Sequence, residues 1–355
     1  MRTSIIRIIF GVFGLFLIGA AYLLWSWNHP LRPGSETYEV KPGTSLRAFA
    51  RVLSARHVLP ESHSFVLLAR LTGHDRALKS GEYRFRDGMS ARELLDQIIA
   101  GRVIEYPAVL VEGWTFGQFL AALASAPKLG QSLAGKPSEV IMEHLGHPDE
   151  HPEGRFFPDT YYYSAGQTDL MILANAYDKM QKLLQRAWEG RDNNLPLNNP
   201  YEALILASIV EKETGQVDER RLIAGVFINR LRLGMRLQSD PTVIYGMGKG
   251  FDGNIRLKDL RNDTPYNTYT RKGLPPTPVA MPGKDALLAV LHPMVTDALY
   301  FVSRGDGSHE FSNSLEEHNR AVLKYQLKGK PRNVLPPRTP DALGSTSTMK
   351  LSPDQ

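Results

Sequence analysis

Between Tyr201 and Thr214 the chain reads YEALILASIVEKET, an apolar run that closes on two carboxylates, Glu211 and Glu213. An α-helix turns about 100° per residue. On that wheel Leu204, Ile205, Leu206, Ile209 and Val210 share a mean direction within roughly 20° of Glu213, with Glu211 nearly opposite. This predicts Glu213 aimed into whatever the helix packs against and Glu211 aimed at water. A carboxylate held on an apolar side loses hydration of its charged form, so its pKa rises and it can keep a proton near neutral pH. That is what a general acid acting on a glycosidic oxygen requires. The structural alternative is a buried glutamate paired with arginine, and Arg230 or Arg232 could serve.

Few other groups offer chemistry. Asp240-Pro241 reads first as a helix N-cap followed by proline at the first helical position, and second as a partner carboxylate. Glu153 and Asp159 stand in HPEGRFFPDTYYY, from His151 to Tyr163, among Phe156, Phe157, Tyr161 and Tyr162. Aromatic faces beside carboxylates suit a sugar cleft; an aromatic packing loop is the alternative. His292, His309 and His318 lack the i, i+4 spacing of a helical metal pair, so hydrogen bonding is their expected role and no metal or cofactor is expected. Ser208 has no G-x-S-x-G setting and is not read as a nucleophile.

The elements that must position these groups follow from periodicity and caps. TYEVKPGTSLRAFARVL, from Thr37, predicts a strand, a Pro-Gly turn and a capped amphipathic helix. A second helix is expected over Ser62–Leu71, then a strand over Glu82–Phe85 and a helix capped by Ser90. VIEYPAVLVEGWTFGQFLAALA predicts a strand and a helix capped by Thr115. A long helix is expected from Asp169 to about Gly190, and another from Asp218 to about Leu233. Leu260–Gly283 is irregular and rich in tyrosine, amide and proline; long loops of this kind in compact domains are usually functional or disordered, and the aromatic and amide content argues for order. Tyr300–Ser303 and His309–Ser312 predict a hairpin, and Ser314 with Glu317 a capping box opening the last helix.

Composition narrows the class. The 355 residues are 42% hydrophobic and 22% charged, with a net charge of +5, which is ordinary for a globular chain. No cluster of basic and base-stacking aromatic residues marks a nucleic-acid groove. There is no cysteine, which excludes disulfides and cysteine-ligated metals. Residues Ile8 to Trp27 are long and apolar enough to cross a bilayer. Arg2 and Arg7 precede them and Trp25 and Trp27 close the far end, so the N-terminus is expected in the cytoplasm and the rest outside. A cleaved signal peptide ending near Gly19-Ala20-Ala21 is the rival; the apolar run continuing through Trp25 favours an uncleaved anchor.

Several of these stretches together resemble a known family. ASIVEKET (Ala207–Thr214), VFINRLRLGMRLQSDPTVIYGMG (Val226–Gly248), YNTYTRKGLPP (Tyr266–Pro276) and HEFSNSLEEHN (His309–Asn319) are similar to the endolytic murein transglycosylases of the YceG-like, or MltG, family. EGRFFPDTYYY and LVEGWT match it too. The resemblance covers residues 38–328 and the N-terminal anchor. It implies an inner-membrane protein whose periplasmic catalytic domain cleaves nascent peptidoglycan strands, close to peptidoglycan synthases. It places the catalytic glutamate in E-K-E, at Glu213, with Glu211 as runner-up.

The expected architecture is therefore α+β. Residues 1–7 are cytoplasmic, 8–27 a transmembrane helix, 28–37 a linker, 38–105 a small LysM-like α/β module, 106–328 the YceG-like catalytic domain and 329–355 a disordered tail. The strand–turn–helix pattern of the module carries the LysM likeness, with a structural spacer as alternative. The expected reaction splits the bond between N-acetylmuramic acid and N-acetylglucosamine and leaves a 1,6-anhydro ring. Gln238, Ser239, Asp240, Tyr245, Tyr266, Asn267, Tyr269, Glu153 and Asp159 are the candidates for holding the sugar. A muramidase-type hydrolase and a non-catalytic glycan-binding scaffold are the competing functions.

Overall fold

A computed structural model describes residues 2–327, with side chains from Ile6 onward. The tail expected to be disordered lies outside the described residues. The described chain forms two compact units, and the polypeptide passes between them repeatedly. The first holds the residues up to Val109 together with Ala121–Lys136 and Thr160–Ile172. The second holds Leu110–Leu120, Pro137–Asp159 and the described chain from Leu173 onward.

The first unit opens with helix α1 (Arg2–Asn28). Its Ile6–Asn28 stretch is long and apolar enough to cross a membrane. Next come strand β1 (Thr37–Val40), helices α2 (Leu46–Ala55) and α3 (Ser62–Leu71), strand β2 (Gly81–Arg84) and helix α4 (Ala91–Ile99). β1 and β2 pair antiparallel, with Tyr38 opposite Tyr83. Alternation turns Tyr38 and Val40 inward, where they meet Phe49, Phe65, Tyr83, Phe85 and Leu94 in one core. The caps are built as the sequence predicts: the Ser90 hydroxyl accepts from Glu93 N, and the Glu93 carboxylate accepts from Ser90 N. The segment read as a linker is strapped down. Leu31 is buried, its N–H donates to Met89 O at 2.8 Å, and its carbonyl accepts from Gly88 N at 2.8 Å.

β3 (Glu105–Leu110) and β4 (Asp159–Ser164) form a second two-stranded sheet. Glu82 is buried, takes the Tyr106 hydroxyl and meets Lys128 Nζ at 3.1 Å. Asp169 fixes the loop below it by accepting from Ser132 N at 2.9 Å and Leu133 N at 3.0 Å.

The second unit is built around helix α8 (Pro200–Glu213), which follows helices α5 (Phe116–Ser125), α6 (Ser138–His144) and α7 (Asp169–Glu189). Asn199 caps α8 with Pro200 inside its first turn, the arrangement that suits a helix start. Residues 203–210 are buried without exception, so α8 is a central helix covered on every side, not an amphipathic one. α9 (Val217–Arg232) and α12 (Lys284–Leu291) pack against it, preceded in the chain order of the latter by α10 (Asp240–Met247) and α11 (Leu257–Arg261). At Gly225 α9 lies tight against the returning chain; a Cβ there would collide with the Met294 carbonyl. The hairpin β5–β6 (Tyr300–Ser303, His309–Ser312) carries α13 (Leu315–Tyr325), capped by Ser314 with Glu317 as predicted.

Candidate active site

Glu213 is the last residue of α8; Thr214 is already extended, at φ −145° and ψ 136°. The side chain thus leaves a rigid, fully packed helix at the point where the backbone turns away. It is half-buried, and the Ser239 hydroxyl donates to its Oε1 at 2.5 Å. Burial pushes its pKa up to about 7; the Ser239 hydrogen bond and the Arg230 charge oppose the rise, and Asp240 adds to it. Neither arginine considered as an ion-pair partner takes that role. Arg230 donates to Leu299 O at 2.6 Å and Leu237 O at 2.6 Å, and Arg232 donates to Asn194 O. Burial outweighs the Arg230 charge, which forms no direct ion pair with Glu213, and that is why the carboxyl holds its proton more tightly than usual.

Ser239 is itself held from behind. It is buried, its N–H donates to Thr268 Oγ1 at 3.0 Å, and its carbonyl accepts from Thr242 Oγ1 at 2.7 Å. Thr242 and Thr268 also touch each other at 2.9 Å. Ser239 occupies the N-cap position of α10, one residue before the Asp240 expected there, and its hydroxyl serves Glu213 instead of the helix. Asp240 is exposed and accepts from the Tyr269 hydroxyl at 2.6 Å. Gln238 adopts φ +51°, and its N–H donates to Thr268 O at 3.2 Å. Thr242 and Thr268 were invisible as site residues because a buried threonine hydroxyl has no sequence signature.

Glu153 anchors a second network. It is 3% exposed; Oε1 accepts from Phe116 N at 3.0 Å, and Oε2 from the Tyr245 hydroxyl at 3.0 Å. Burial raises its pKa to about 7 against both hydrogen bonds. Tyr245 meets the Tyr266 ring edge-on at 4.9 Å, and the Tyr266 hydroxyl pairs with Thr277 Oγ1 at 2.9 Å. Next to it Gly154 has φ +80°, and a Cβ there would press Pro278 at 2.5 Å. Asp159 pairs with Lys179. Asn267 is 1% exposed; its amide donates to the carbonyls of Asp259, Leu260 and Asn262 and accepts from Tyr269 N. Its polar atoms are directed into the loop.

Glu211 differs from the sequence expectation. Its side chain is 6% exposed and pairs with Arg220 at 3.2 Å, and it accepts from Gly283 N at 2.9 Å. Because α8 is buried all round, the side opposite Glu213 is also protein. Two concavities of about 550 and 260 Å³ in this unit contain none of the candidate residues. The polar network around Glu213, not the size of a cavity, distinguishes the candidate site.

The fold is mixed α+β, with a desolvated carboxyl of raised pKa at the end of its central helix. Residues 38–324 match the YceG-like family, and the chain belongs to it. It is 32% identical over 332 residues to a Bacillus subtilis protein named endolytic murein transglycosylase, covering 87% of this chain and 91% of that one. A Streptococcus pneumoniae protein of the same name is 29% identical over 81% of this chain, which spans 58% of that longer relative. A crystal structure of a yceG-like protein from Listeria monocytogenes superposes with a TM-score of 0.51 at 27% identity, covering 81% of this chain and all of that one.

Proposed function

We propose that this chain is a lytic transglycosylase that cuts peptidoglycan strands internally, with Glu213 as its catalytic acid and base. The observation that carries the reading is the Glu213 carboxyl: half-buried, touched by one hydroxyl, and poised to hold a proton near pH 7. Protonated Glu213 donates to the glycosidic oxygen between N-acetylmuramic acid and N-acetylglucosamine as the C–O bond breaks. The resulting carboxylate takes the proton of the muramic C6 hydroxyl, whose oxygen closes on C1 to a 1,6-anhydro ring. The proton lost is regained, no water enters, and one carboxylate suffices. Asp240, with Tyr269 bonded to it, adds negative charge near the cationic transition state. Gln238 and Tyr266 are the further groups proposed to line the sugar.

The wider setting belongs to the same reading. α1 anchors the chain in the inner membrane with its N-terminus cytoplasmic, and the two units stand in the periplasm, near peptidoglycan synthases. The β1–α2–α3–β2 order with antiparallel pairing supports a LysM-like module that contacts glycan.

The test is Glu213→Gln assayed on purified peptidoglycan, with products weighed by mass spectrometry. The expected result is a folded variant without cleavage, and 1,6-anhydro ends from the parent. Products heavier by one water would make the enzyme a hydrolase. Binding without any cleavage by the parent would make it a scaffold.

A further inference from the structure

The junction between α1 and the small module is rigid. Ser26 and Ser64 are both buried, and their hydroxyls meet at 2.7 Å. The Trp27 indole donates to Ser64 O at 2.9 Å, and the Trp25 ring lies against His29 at 4.7 Å. With Leu31 pinned between Gly88 and Met89, no free tether separates the apolar helix from the module. Ser26 lies within the last turn of α1, only about 3 Å of helix rise from its end. Indole side chains settle at the lipid–water boundary. The first turns of α3, which touch Ser26 and Trp27, are therefore held at that level.

α3 presents an uncovered stripe. His63, Leu67, Arg70 and Leu71 are exposed, with Leu67 at 39% and Leu71 at 68%. They follow i, i+4, i+7, i+8, one face of a helix. Leu71 lies seven residues after Ser64, about 20° from it on the wheel, so it projects from the side of α3 that α1 touches. Charge agrees with an anionic surface. From Leu31 to Arg102 the chain has twelve Lys and Arg against eight Asp and Glu, so nearly all of its +5 lies in this region.

We propose that the α3 stripe docks on the anionic headgroups of the bilayer that α1 crosses, so that the module lies on the membrane instead of standing clear of it. Leu67 and Leu71 enter the interface, Arg70 pairs with lipid phosphates, and the module is oriented as an interfacial amphipathic helix is. This rests on α1 being a membrane span.

The chain contains no cysteine, so single labels are clean. Leu71→Cys and, for reference, Arg47→Cys on the exposed side of α2 are each made in the full-length chain. Each is labelled with a fluorophore and reconstituted in phosphatidylcholine vesicles containing phosphatidylglycerol and a headgroup-level nitroxide lipid. Flotation is scored first. The expected result is co-flotation, with quenching at position 71 about twofold that at 47 and reduced when phosphatidylglycerol is left out. Co-flotation with equal quenching at the two positions overturns the docking and leaves the anchor standing. Failure to float overturns the anchor, and the docking with it.

Discussion

The Ser239 hydroxyl donates to Glu213 Oε1 at 2.5 Å, across 26 residues of sequence, and it is the group that restrains the rise of the Glu213 pKa most. A hydrogen bond to a charged group is worth about 1.5–3 kcal/mol and favours the ionised form. Ser239→Ala therefore moves the Glu213 pKa further above 7, by on the order of one unit. A general acid works while it is protonated, so the alkaline limb of the kcat/KM profile shifts upward by that amount. The return of the proton from the C6 hydroxyl is less well guided, and the maximum rate falls about tenfold. A pH–rate profile of the variant checks both signs; a limb that stays in place removes Ser239 from the acid's environment.

The two glutamates of the E-K-E stretch separate by what their loss does. Glu211 holds Arg220 in a pair whose side chains are 6% and 10% exposed. Removing Glu211 leaves the buried Arg220 with only the largely exposed Asp285, 3.7 Å away, and a broken buried pair costs up to about 3–5 kcal/mol. Glu211→Ala is expected to lower the melting temperature strongly and activity only in proportion to the folded fraction. Glu213→Gln is expected to do the reverse, because it replaces a desolvated carboxyl, about half protonated near pH 7, with a neutral amide of the same shape. Thermal unfolding followed beside turnover distinguishes the two. Equal loss of stability in both variants would contradict the division of roles.

Local signals were legible where one residue's chemistry settles the geometry. The Ser314–Glu317 box and the Tyr300–Ser312 hairpin stand where the cap and alternation put them, and α3 runs over the expected Ser62–Leu71. What failed depends on partners distant in sequence. The wheel assumed that α8 has a wet side, yet Ala203 to Val210 are covered all round, and no local period reports that. Ser239 displaced Asp240 from the cap position because Thr268 and Glu213 claim its polar atoms. The His29–Glu36 segment has linker composition but finds donors and acceptors in Gly88, Met89 and Asp87.

Glu153 gives the fold a pH dependence of its own. Its carboxyl is raised from 4.5 to about 7 by burial. In the unfolded chain it releases its proton near 4.5, so between about 4.5 and 7 the native state binds more protons than the unfolded one. By linkage, stability from this group is fullest below pH 4.5 and is lost as pH rises toward and through 7. The full excursion is on the order of 3 kcal/mol. Glu153→Gln stays neutral and can still accept from Phe116 N, so it is expected to flatten this loss and to be more stable than the parent at pH 8. Denaturant midpoints at pH 5 and pH 8 measure it; an unchanged difference between the two pH values would show that Glu153 is not the titrating group.

Asn267 tests whether the tyrosine-rich loop acts through its shape or through direct contact. Its amide closes three carbonyls of the 259–262 turn and takes the N–H of Tyr269, and the Tyr269 hydroxyl in turn reaches Asp240 at 2.6 Å. Asn267→Ala leaves those buried backbone groups unmatched, at about 1–3 kcal/mol. Tyr269 loses its fixed position and with it the hold on Asp240. The expected outcome is a lower melting temperature, a lower kcat and an alkaline limb that moves far less than in Ser239→Ala, since Ser239 still contacts Glu213. Tyr269→Phe, which keeps the ring but drops the hydroxyl, should reproduce the fall in kcat without the loss of stability. If Asn267→Ala instead raises KM alone and melts like the parent, the amide faces the saccharide and the loop does not depend on it.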